Sequence, residues 1–201
     1  MVKIFATGDF HSDSRLTARL AEKASQEKVD LVVITGDITH QEMSTEGLIG
    51  PFVKKNKKVA LIPGNHESFA TADFLSQFYG ATNLHGYSLR IGDLAFFGCG
   101  GANCGLNQLT EEEIFETLAR AYTQIKDVKK KIMVTHVHPS GTLMEKFSHY
   151  VKGSTGVRKA IQTFQPEILL CSHVHEAEGV EEKIGKTTVI NVGKKGKVLE
   201  L

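Results

Sequence analysis

The sequence predicts an α/β fold in which two packed sheets are flanked by helices. Three observations lead to this prediction. Short apolar runs rich in β-branched residues alternate with segments of helical periodicity, as in parallel sheets with crossover helices. Two other stretches carry turn residues between short strands, with no helix between those strands, which is typical of hairpins. The length of 201 residues fits a single domain over 1–201 better than two domains.

The individual elements follow from the same patterns. We predict strands at 2–6, 31–35, 59–62, 132–135 and 168–171, and helices at 14–27, 44–55, 70–79, 110–125 and 154–164. The fourth helix has the clearest start, because Thr110 and Glu113 form a capping box. Residues 84–99 predict a strand, a turn and a second strand, and the tail 177–201 predicts three short strands joined by glycine-containing turns.

Composition and charge argue against several classes of protein. Hydrophobic residues make up 41% of the chain, and the formal net charge is only +1, so a core can form and no overall field attracts nucleic acid or anionic lipid. The three cysteines include no CxxC pair, which argues against a disulfide framework or a thiolate zinc site. The chain opens directly into a strand pattern and has no apolar run of membrane-spanning length. We therefore expect no signal peptide, no membrane contact and a cytoplasmic location.

Five short polar motifs follow predicted strands. They are Asp9-Phe10-His11, Gly36-Asp37, Gly64-Asn65-His66-Glu67, Thr135-His136 and His173-Val174-His175. Ligands collect beyond the carboxyl ends of strands in open α/β sheets, so we expect all five motifs at the same edge of one sheet. Together they offer carboxylate, amide and imidazole ligands for two neighbouring divalent cations, and such a pair promotes in-line attack on phosphorus.

The chemistry of single residues supports this interpretation. An extended backbone would place Asp9 and His11 on one face, where both could reach one ion. The carboxylate of Asp37 has two oxygens and can bridge two cations, and Asn65 offers a carbonyl oxygen. His66 could stand close to the metals without being a ligand and hand a proton to a leaving alkoxide.

Each motif also has a purely structural explanation. A turn explains Asp9, a turn or a helix N-cap explains Asp37, and a lone histidine such as His136 is more often structural. Two imidazoles at His173 and His175 are harder to explain in this way. The ordered set of five motifs, rather than any one of them, favours a metal site.

The order of the motifs resembles that of the calcineurin-like metallophosphoesterases. The resemblance runs from residue 9 to residue 175, and Asn191-Val192-Gly193 resembles the late Asn-x-Gly turn of that family. The stretch from Thr135 through Glu176 is most similar to a small prokaryotic branch related to the Icc phosphodiesterase. The chain departs from the family at two positions: Ser172 stands where a glycine usually precedes the His-x-His, and His40 stands where Gly-Asp-x-x-Asp often ends in aspartate.

The resemblance implies a four-layer α/β/β/α sandwich and a role for each motif residue. One metal would be held by Asp9, His11, Asp37 and His175, and the other by Asp37, Asn65, His136 and His173, with Asp37 bridging. His66 would be the catalytic acid, and a metal-bound hydroxide would attack the phosphorus in line. The metal identity stays open among Mn, Fe, Ni and Zn.

The resulting hypothesis is a two-metal phosphoesterase with a small-molecule substrate, and a phosphodiester is favoured. A dianionic monoester would profit from an arginine, and none lies within a motif loop. A nuclease of the same chemistry and a non-catalytic metal-binding scaffold of the same fold stay open as alternatives. The lysines at 54–58 and 129–131 precede strands and belong at the opposite end of the sheet, so nucleic-acid binding is not expected. The oligomeric state is open, a homodimer included.

Two further expectations concern the cysteines and a glycine-rich loop. Cys99, Cys104 and Cys171 are expected to take no part in the chemistry, because none lies where a base of the site could activate it. Cys171 is interpreted as a small buried residue at the end of its strand. The stretch 98–103 is a candidate substrate loop, although a connection between the two sheets explains it better.

Overall fold

The computed structural model describes residues 1–148 and 150–201. Its strands are β1 Lys3–Thr7, β2 Leu31–Ile34, β3 Lys58–Leu61, β4 Thr82–Asn83, β5 Ser88–Ile91, β6 Leu94–Cys99, β7 Lys130–Thr135, β8 Ile168–Cys171, β9 Glu181–Ile184, β10 Thr187–Asn191 and β11 Lys197–Glu200. Its helices are α1 Ser14–Gln26, α2 Gly50–Lys54, α3 Phe69–Tyr79, α4 Glu111–Thr123 and α5 Thr155–Phe164, with short 3₁₀ turns at Leu143–Lys146 and His175–Ala177.

The strands form two mixed sheets, as the sequence predicts. The first sheet has the order β11-β1-β2-β3-β4, and the second has the order β5-β6-β7-β8-β10-β9. Strands β1 to β4 are parallel, as are β6, β7, β8 and β10, whereas β5, β9 and β11 pair antiparallel with their neighbours. The antiparallel pairs β5–β6 and β9–β10 are the hairpins that the turn residues predict.

Three layers of buried side chains hold the sandwich together. The middle layer lies between the sheets, where Ile4 and Val33 of the first sheet belong to one cluster with Phe96 and Val134 of the second. One outer layer packs α1, α2 and α3 on the first sheet, and the other packs α4 and α5 on the second. This is the four-layer α/β/β/α arrangement that the family resemblance implies.

The largest error in the predicted elements is the second helix. The structure has only α2, Gly50–Lys54, where the sequence predicted a helix over 44–55. Pro51 lacks an N–H group and is tolerated in the first turn of a helix, so it marks a start rather than an interior position. The preceding residues form a loop that Thr17 of α1 anchors through a 2.7 Å hydrogen bond from its hydroxyl to the Gly47 oxygen.

The carboxyl ends of the parallel strands in both sheets point to the same end of the molecule. The first three motifs follow β1, β2 and β3 of the first sheet, and the last two follow β7 and β8 of the second. The expectation that all five lie at the edge of one sheet is therefore wrong, because the motifs face each other across the interface between two sheets. Lys58 and Lys130 begin β3 and β7, so the lysine clusters lie at the opposite end, as predicted.

Candidate metal centre

The structure brings all eight predicted site residues into one cluster between the two sheets. The cluster contains Asp9, His11, Asp37, Asn65, His66, His136, His173 and His175. Candidate ligand atoms converge in three groups: two of them share the carboxylate of Asp37, and the third consists of His11, His40 and His66.

The first group is made by Asp9, His11, Asp37 and His175, whose candidate ligand atoms all lie within 4.8 Å of one another. His11 Nε2 is 3.0 Å from His175 Nε2 and 3.6 Å from Asp37 Oδ2. Asp9 is fully buried, and within the described residues its Oδ2 has no hydrogen-bond partner. A buried carboxylate oxygen without a donor is costly, and a cation among these side chains would satisfy it. The donor set therefore fits a divalent metal.

The second group is made by Asp37, His136 and His173, whose candidate ligand atoms also lie within 4.8 Å of one another. His136 Nε2 is 3.3 Å from Asp37 Oδ1 and 3.0 Å from the side-chain oxygen of Asn65, which adds an amide oxygen to the group. The rings of His136 and His173 lie 4.7 Å apart at their centroids. Imidazole, carboxylate and amide donors together suit a divalent transition metal.

Asp37 belongs to both groups and is held firmly in place. Its Oδ1 accepts hydrogen bonds from the backbone N–H groups of Asn65 and His66, at 3.0 and 3.1 Å. Burial raises the pKa of Asp37, but the charge and hydrogen bond of His136, together with the charges of His11 and His66, outweigh burial and hold that pKa below its ordinary value. Asp37 therefore carries a negative charge at the point where the two groups meet.

Sharp turns, rather than extended strands, bring these side chains together. Asp9, His11, Asp37 and His173 have positive φ angles of 54°, 47°, 50° and 72°. The expectation that an extended backbone places Asp9 and His11 on one face is therefore wrong. Left-handed backbone at a residue other than glycine costs on the order of 1–3 kcal/mol and concentrates at functional sites.

The groups that face the two ring nitrogens of His136 determine its protonation. Its Nδ1 lies 2.9 Å from the backbone oxygen of Thr35, which can only accept, so Nδ1 carries the hydrogen and Nε2 faces Asp37 and Asn65. Burial lowers the pKa of His136, but the carboxylates of Asp37 and Asp9 outweigh burial and raise it to about 9. The buried carboxylates thus create a strong demand for positive charge, which a metal cation would meet.

Two other imidazoles of the site are held neutral. Burial lowers the pKa of His11 to about 4, and burial together with the charge of His136 lowers that of His173 to about 3. A neutral imidazole has a free lone pair, so both side chains are in the form that binds metals.

Ser172 fills the position where the family usually has glycine. Its hydroxyl donates to the Thr35 oxygen at 3.1 Å and lies 3.2 Å from His136 Nδ1. The positive φ of this turn falls on His173, so the serine takes an ordinary backbone conformation. The departure from the family pattern therefore leaves the turn intact and adds a contact beneath His136.

Glu67 is a buried residue of the site whose role the sequence reasoning missed. Its carboxylate accepts backbone hydrogen bonds from Gly64 at 2.6 Å and from Ile38 and Thr39 at 3.1 Å each. These bonds join the loop after β2 to the loop after β3. The two loops approach so closely that a Cβ on Gly64 would lie only 2.1 Å from Asp37 Oδ1, so this position requires glycine. Burial and the charge of Asp37 raise the pKa of Glu67 to about 7. The only indication of this role in the sequence was that Glu67 directly follows His66 in the third motif.

His66 lies at the open edge of the cluster, and His40 lies beside it. His66 Nε2 is 4.0 Å from Asp37 Oδ2, and its ring centroid is 4.8 Å from that of His11. The exposed ring of His40 stacks on His66, with centroids 4.9 Å apart and an angle of 23° between the planes. The sequence analysis left the role of His40 open, because this histidine stands where the family often has an aspartate.

The loop after β6 covers part of the second donor group. It connects β6 to α4, so the expectation of a connection between the two sheets is wrong. Cys104 lies in this loop, with its Sγ 3.6 Å from His173 Nε2. The expectation that no cysteine lies near a base of the site is therefore wrong for Cys104. Cys171 is fully buried at the end of β8, as predicted.

Comparison with known proteins agrees with this arrangement. The sequence model of the calcineurin-like phosphoesterases matches residues 2–177. The chain belongs to the calcineurin-like phosphoesterase family. A calcineurin-like phosphoesterase is a hydrolase, so the protein is an enzyme that cleaves phosphoesters. The uncharacterized protein MJ1162 of Methanocaldococcus jannaschii is 31% identical over 175 residues, which cover 81% of this chain and 76% of that protein.

Solved structures share the fold of this phosphoesterase at low sequence identity. The protein TT1561 of Thermus thermophilus matches with a TM-score of 0.77 and 16% identity, covering 98% of this chain and 97% of that one. A dimetal phosphatase from Danio rerio matches with a TM-score of 0.67 and 11% identity, covering 96% and 87% of the two chains. These likenesses confirm the fold. In the described part of the phosphoesterase, no helix combines the length and the apolar character that crossing a membrane requires.

Proposed function

We propose that this chain is a single-domain, two-metal phosphoesterase that hydrolyses a small-molecule phosphodiester. The observation that carries the proposal is the position of Asp37, whose carboxylate belongs to both groups of converging donor atoms. A carboxylate with this position can serve two cations at once. Asp9, His11 and His175 would complete one metal site, and Asn65, His136 and His173 would complete the other.

In the proposed reaction, the cations supply the chemistry at water and phosphate, and the side chains hold the cations in place. Two divalent cations in such sites lower the pKa of a water molecule and polarise the phosphoryl oxygens. The side chains would position both cations through Asp37, whose orientation the backbone N–H groups of Asn65 and His66 maintain. Thr35 keeps the hydrogen of His136 on Nδ1, so that Nε2 stays available as a ligand.

His66 is proposed as the acid that protonates the leaving oxygen. It lies at the edge of the cluster, where 21% of its side chain is exposed, and its Nε2 is directed toward the shared carboxylate. A substrate held between the metals would present its leaving group near this ring. His40 stacks on His66 and limits its rotation, so it would keep the acid aimed at the reacting phosphate.

The preference for a diester rests on where the arginines lie. Arg90 is paired with Asp127 at 2.7 Å, and Arg158 donates to the Ser140 oxygen at 3.2 Å. Arg15 and Arg19 are exposed on α1. A monoester dianion is stabilised by a bidentate arginine, whereas a monoanionic diester carries less negative charge for the site to neutralise.

Two alternatives receive less support from the structure. A nuclease would need a basic surface near the donor groups, and the lysine clusters at the amino ends of β3 and β7 lie at the opposite end of the sheets. A non-catalytic scaffold would have no use for His66 beside a full ligand set. The proposed function therefore favours a small substrate and true hydrolysis.

The test is hydrolysis of bis-p-nitrophenyl phosphate by metal-free protein reloaded in turn with Mn, Fe, Ni and Zn. Hydrolysis is expected to depend on added metal and to saturate at two ions per chain. Protein that binds two ions and hydrolyses neither this substrate nor p-nitrophenyl phosphate with any of the four metals would contradict the proposal.

A further inference from the structure

The loop after β6 contacts two of the residues proposed to hold the second metal. Cys104 Sγ lies 3.6 Å from His173 Nε2. The neighbouring Gly105 lies against Asn65, since a Cβ at this glycine would be 2.7 Å from Asn65 Nδ2. The pair Cys104-Gly105 thus touches His173 and Asn65, which lie in loops that follow strands of different sheets.

This loop is itself fastened to the turn that carries Asn65. The backbone N–H of Gly101 donates to the Pro63 oxygen at 3.0 Å, and the side-chain amide of Asn107 donates to the backbone oxygen of Glu67. Both anchors flank Asn65 in the sequence. The position of Cys104 above His173 is therefore set by hydrogen bonds on both sides of the loop.

The thiol is placed to support a ligand rather than to act as one. Within the described residues, the donor atoms that converge on the second site are those of Asp37, His136 and His173, and the sulfur of Cys104 is outside that group. With Nε2 of His173 directed at the sulfur, Nδ1 is the nitrogen left for a metal. A partner on the outer nitrogen fixes the tautomer and the orientation of a metal-binding imidazole.

The first donor group has no comparable support. Within the described residues, His11 Nδ1 is buried without a hydrogen-bond partner, and 43% of the His175 side chain is exposed. By contrast, the second group contains His136, which is fully buried and donates to Thr35. The two sites therefore differ in how firmly the protein holds their imidazoles.

We propose that Cys104 is a positioning residue for the second metal, and that through His173 it makes this ion the more firmly retained of the two. The inference rests on the proposed two-metal function. The sulfur accepts the Nε2 hydrogen of His173 and keeps Nδ1 directed at the site. The first ion, held by less constrained imidazoles, exchanges sooner.

The test measures metal retention rather than activity. Wild type and Cys104→Ala are loaded with Co(II), and the cobalt per chain is followed during dialysis against a chelator. Wild type is expected to lose one ion quickly and the other slowly, whereas in Cys104→Ala the affinity for the slow ion should fall about tenfold. Cys104→Ser, which keeps an acceptor for the imidazole, should recover most of the retention.

Cys99→Ala is the matched control. Cys99 is a buried thiol at the end of β6, and its Sγ donates to the Gly100 oxygen rather than contacting a ligand residue. This variant should keep the wild-type retention of both ions. Equal retention in wild type and Cys104→Ala, or equal losses in Cys104→Ala and Cys99→Ala, would overturn the inference.

The absorption spectrum of the Co(II) protein separates the remaining possibilities. A thiol that only supports His173 gives no thiolate-to-cobalt charge-transfer band in the near ultraviolet. A band present in wild type and absent in Cys104→Ala would make Cys104 a direct ligand and would overturn the positioning role. Wild type that binds no metal at all would refute the proposed function, whereas unchanged retention in Cys104→Ala would refute only this inference.

Discussion

The Nδ1–H of His136 donates to the backbone oxygen of Thr35 across a distance of 2.9 Å, and this bond crosses from one sheet to the other. Thr35 follows β2 of the first sheet, and His136 follows β7 of the second. The same bond directs His136 Nε2 at Asp37. Sheet packing and the geometry of the proposed metal centre therefore depend on each other.

The first prediction concerns Asp37→Asn. The variant should bind fewer ions and lose about 100-fold or more in kcat, because a neutral amide replaces the carboxylate proposed to serve both cations. The measurements are metal content by mass spectrometry and hydrolysis of bis-p-nitrophenyl phosphate. Asp13→Asn is the control, since Asp13 caps α1 through the N–H groups of Arg15 and Leu16 and should leave both readouts unchanged. Two ions per chain and most of the rate in Asp37→Asn would show that the shared role is wrong.

The second prediction concerns His66→Ala. If His66 is an acid rather than a ligand, the variant keeps its metals and loses about 10²–10⁴-fold in rate with an alkyl leaving group. The loss should be milder with p-nitrophenolate, which leaves without protonation. His40→Ala removes the stacked ring but retains the acid, so its loss should be smaller than that of His66→Ala and, like it, larger for the alkyl leaving group. An equal loss for both leaving groups in His66→Ala counts against the proposed acid.

The third prediction concerns pH and His138, which is fully buried with no hydrogen-bond partner for either ring nitrogen within the described residues. Burial lowers its pKa to about 4, against roughly 6.5 in the unfolded chain. The neutral form is thus favoured by folding, so this contribution to stability is complete above pH 6.5 and is lost as the pH falls from there to 4. The loss amounts to at most about 1.4 kcal/mol per pH unit.

Urea unfolding of metal-free wild type and His138→Leu across this pH range checks the third prediction. The free energy of unfolding of wild type should fall more steeply toward low pH than that of the variant, because leucine binds no proton in either state. The other buried histidines are present in both proteins, so their titration cancels in the difference except at His173, whose pKa the charge of His138 also lowers. Parallel curves for the two proteins would mean that His138 is not held neutral.

The fourth prediction is a preference for diesters. At one metal loading, kcat/KM should be higher for bis-p-nitrophenyl phosphate than for p-nitrophenyl phosphate, since no arginine has a described contact with the donor groups. Lys194, whose charge acts on His11, is the nearest cation we can argue for, and lysine clamps a phosphate less firmly than arginine. A tenfold advantage of the monoester, roughly 1.4 kcal/mol of transition-state discrimination, would contradict this prediction.

The parts of the fold that could be predicted are those with local physical causes. The alternation of apolar strands with amphipathic helices located most elements, and the capping box of Thr110 and Glu113 is present at the start of α4. The helix predicted over 44–55 was too long because its periodicity was counted through Gly47 and Pro51, where the chain forms a loop and then a helix start. The two-residue strand β4 has no recognisable pattern of its own.

For the site, the residue types have local causes that the sequence shows, whereas their geometry has tertiary causes that it does not. The candidate ligands could be predicted because they follow strand ends in a fixed order. Their geometry could not, since it depends on left-handed residues such as Asp9 and His173 and on the meeting of two sheets. The contacts of His40 and Cys104 are made between distant loops, so no spacing in the sequence indicates them.

The most direct test of the two-metal account is anomalous diffraction from crystals of the protein loaded with Mn(II). The account predicts two anomalous peaks about 3.5–4 Å apart, with the carboxylate of Asp37 between them. One peak should be surrounded by Asp9, His11 and His175, and the other by Asn65, His136 and His173. A single peak, or two peaks that do not share Asp37, would contradict the account.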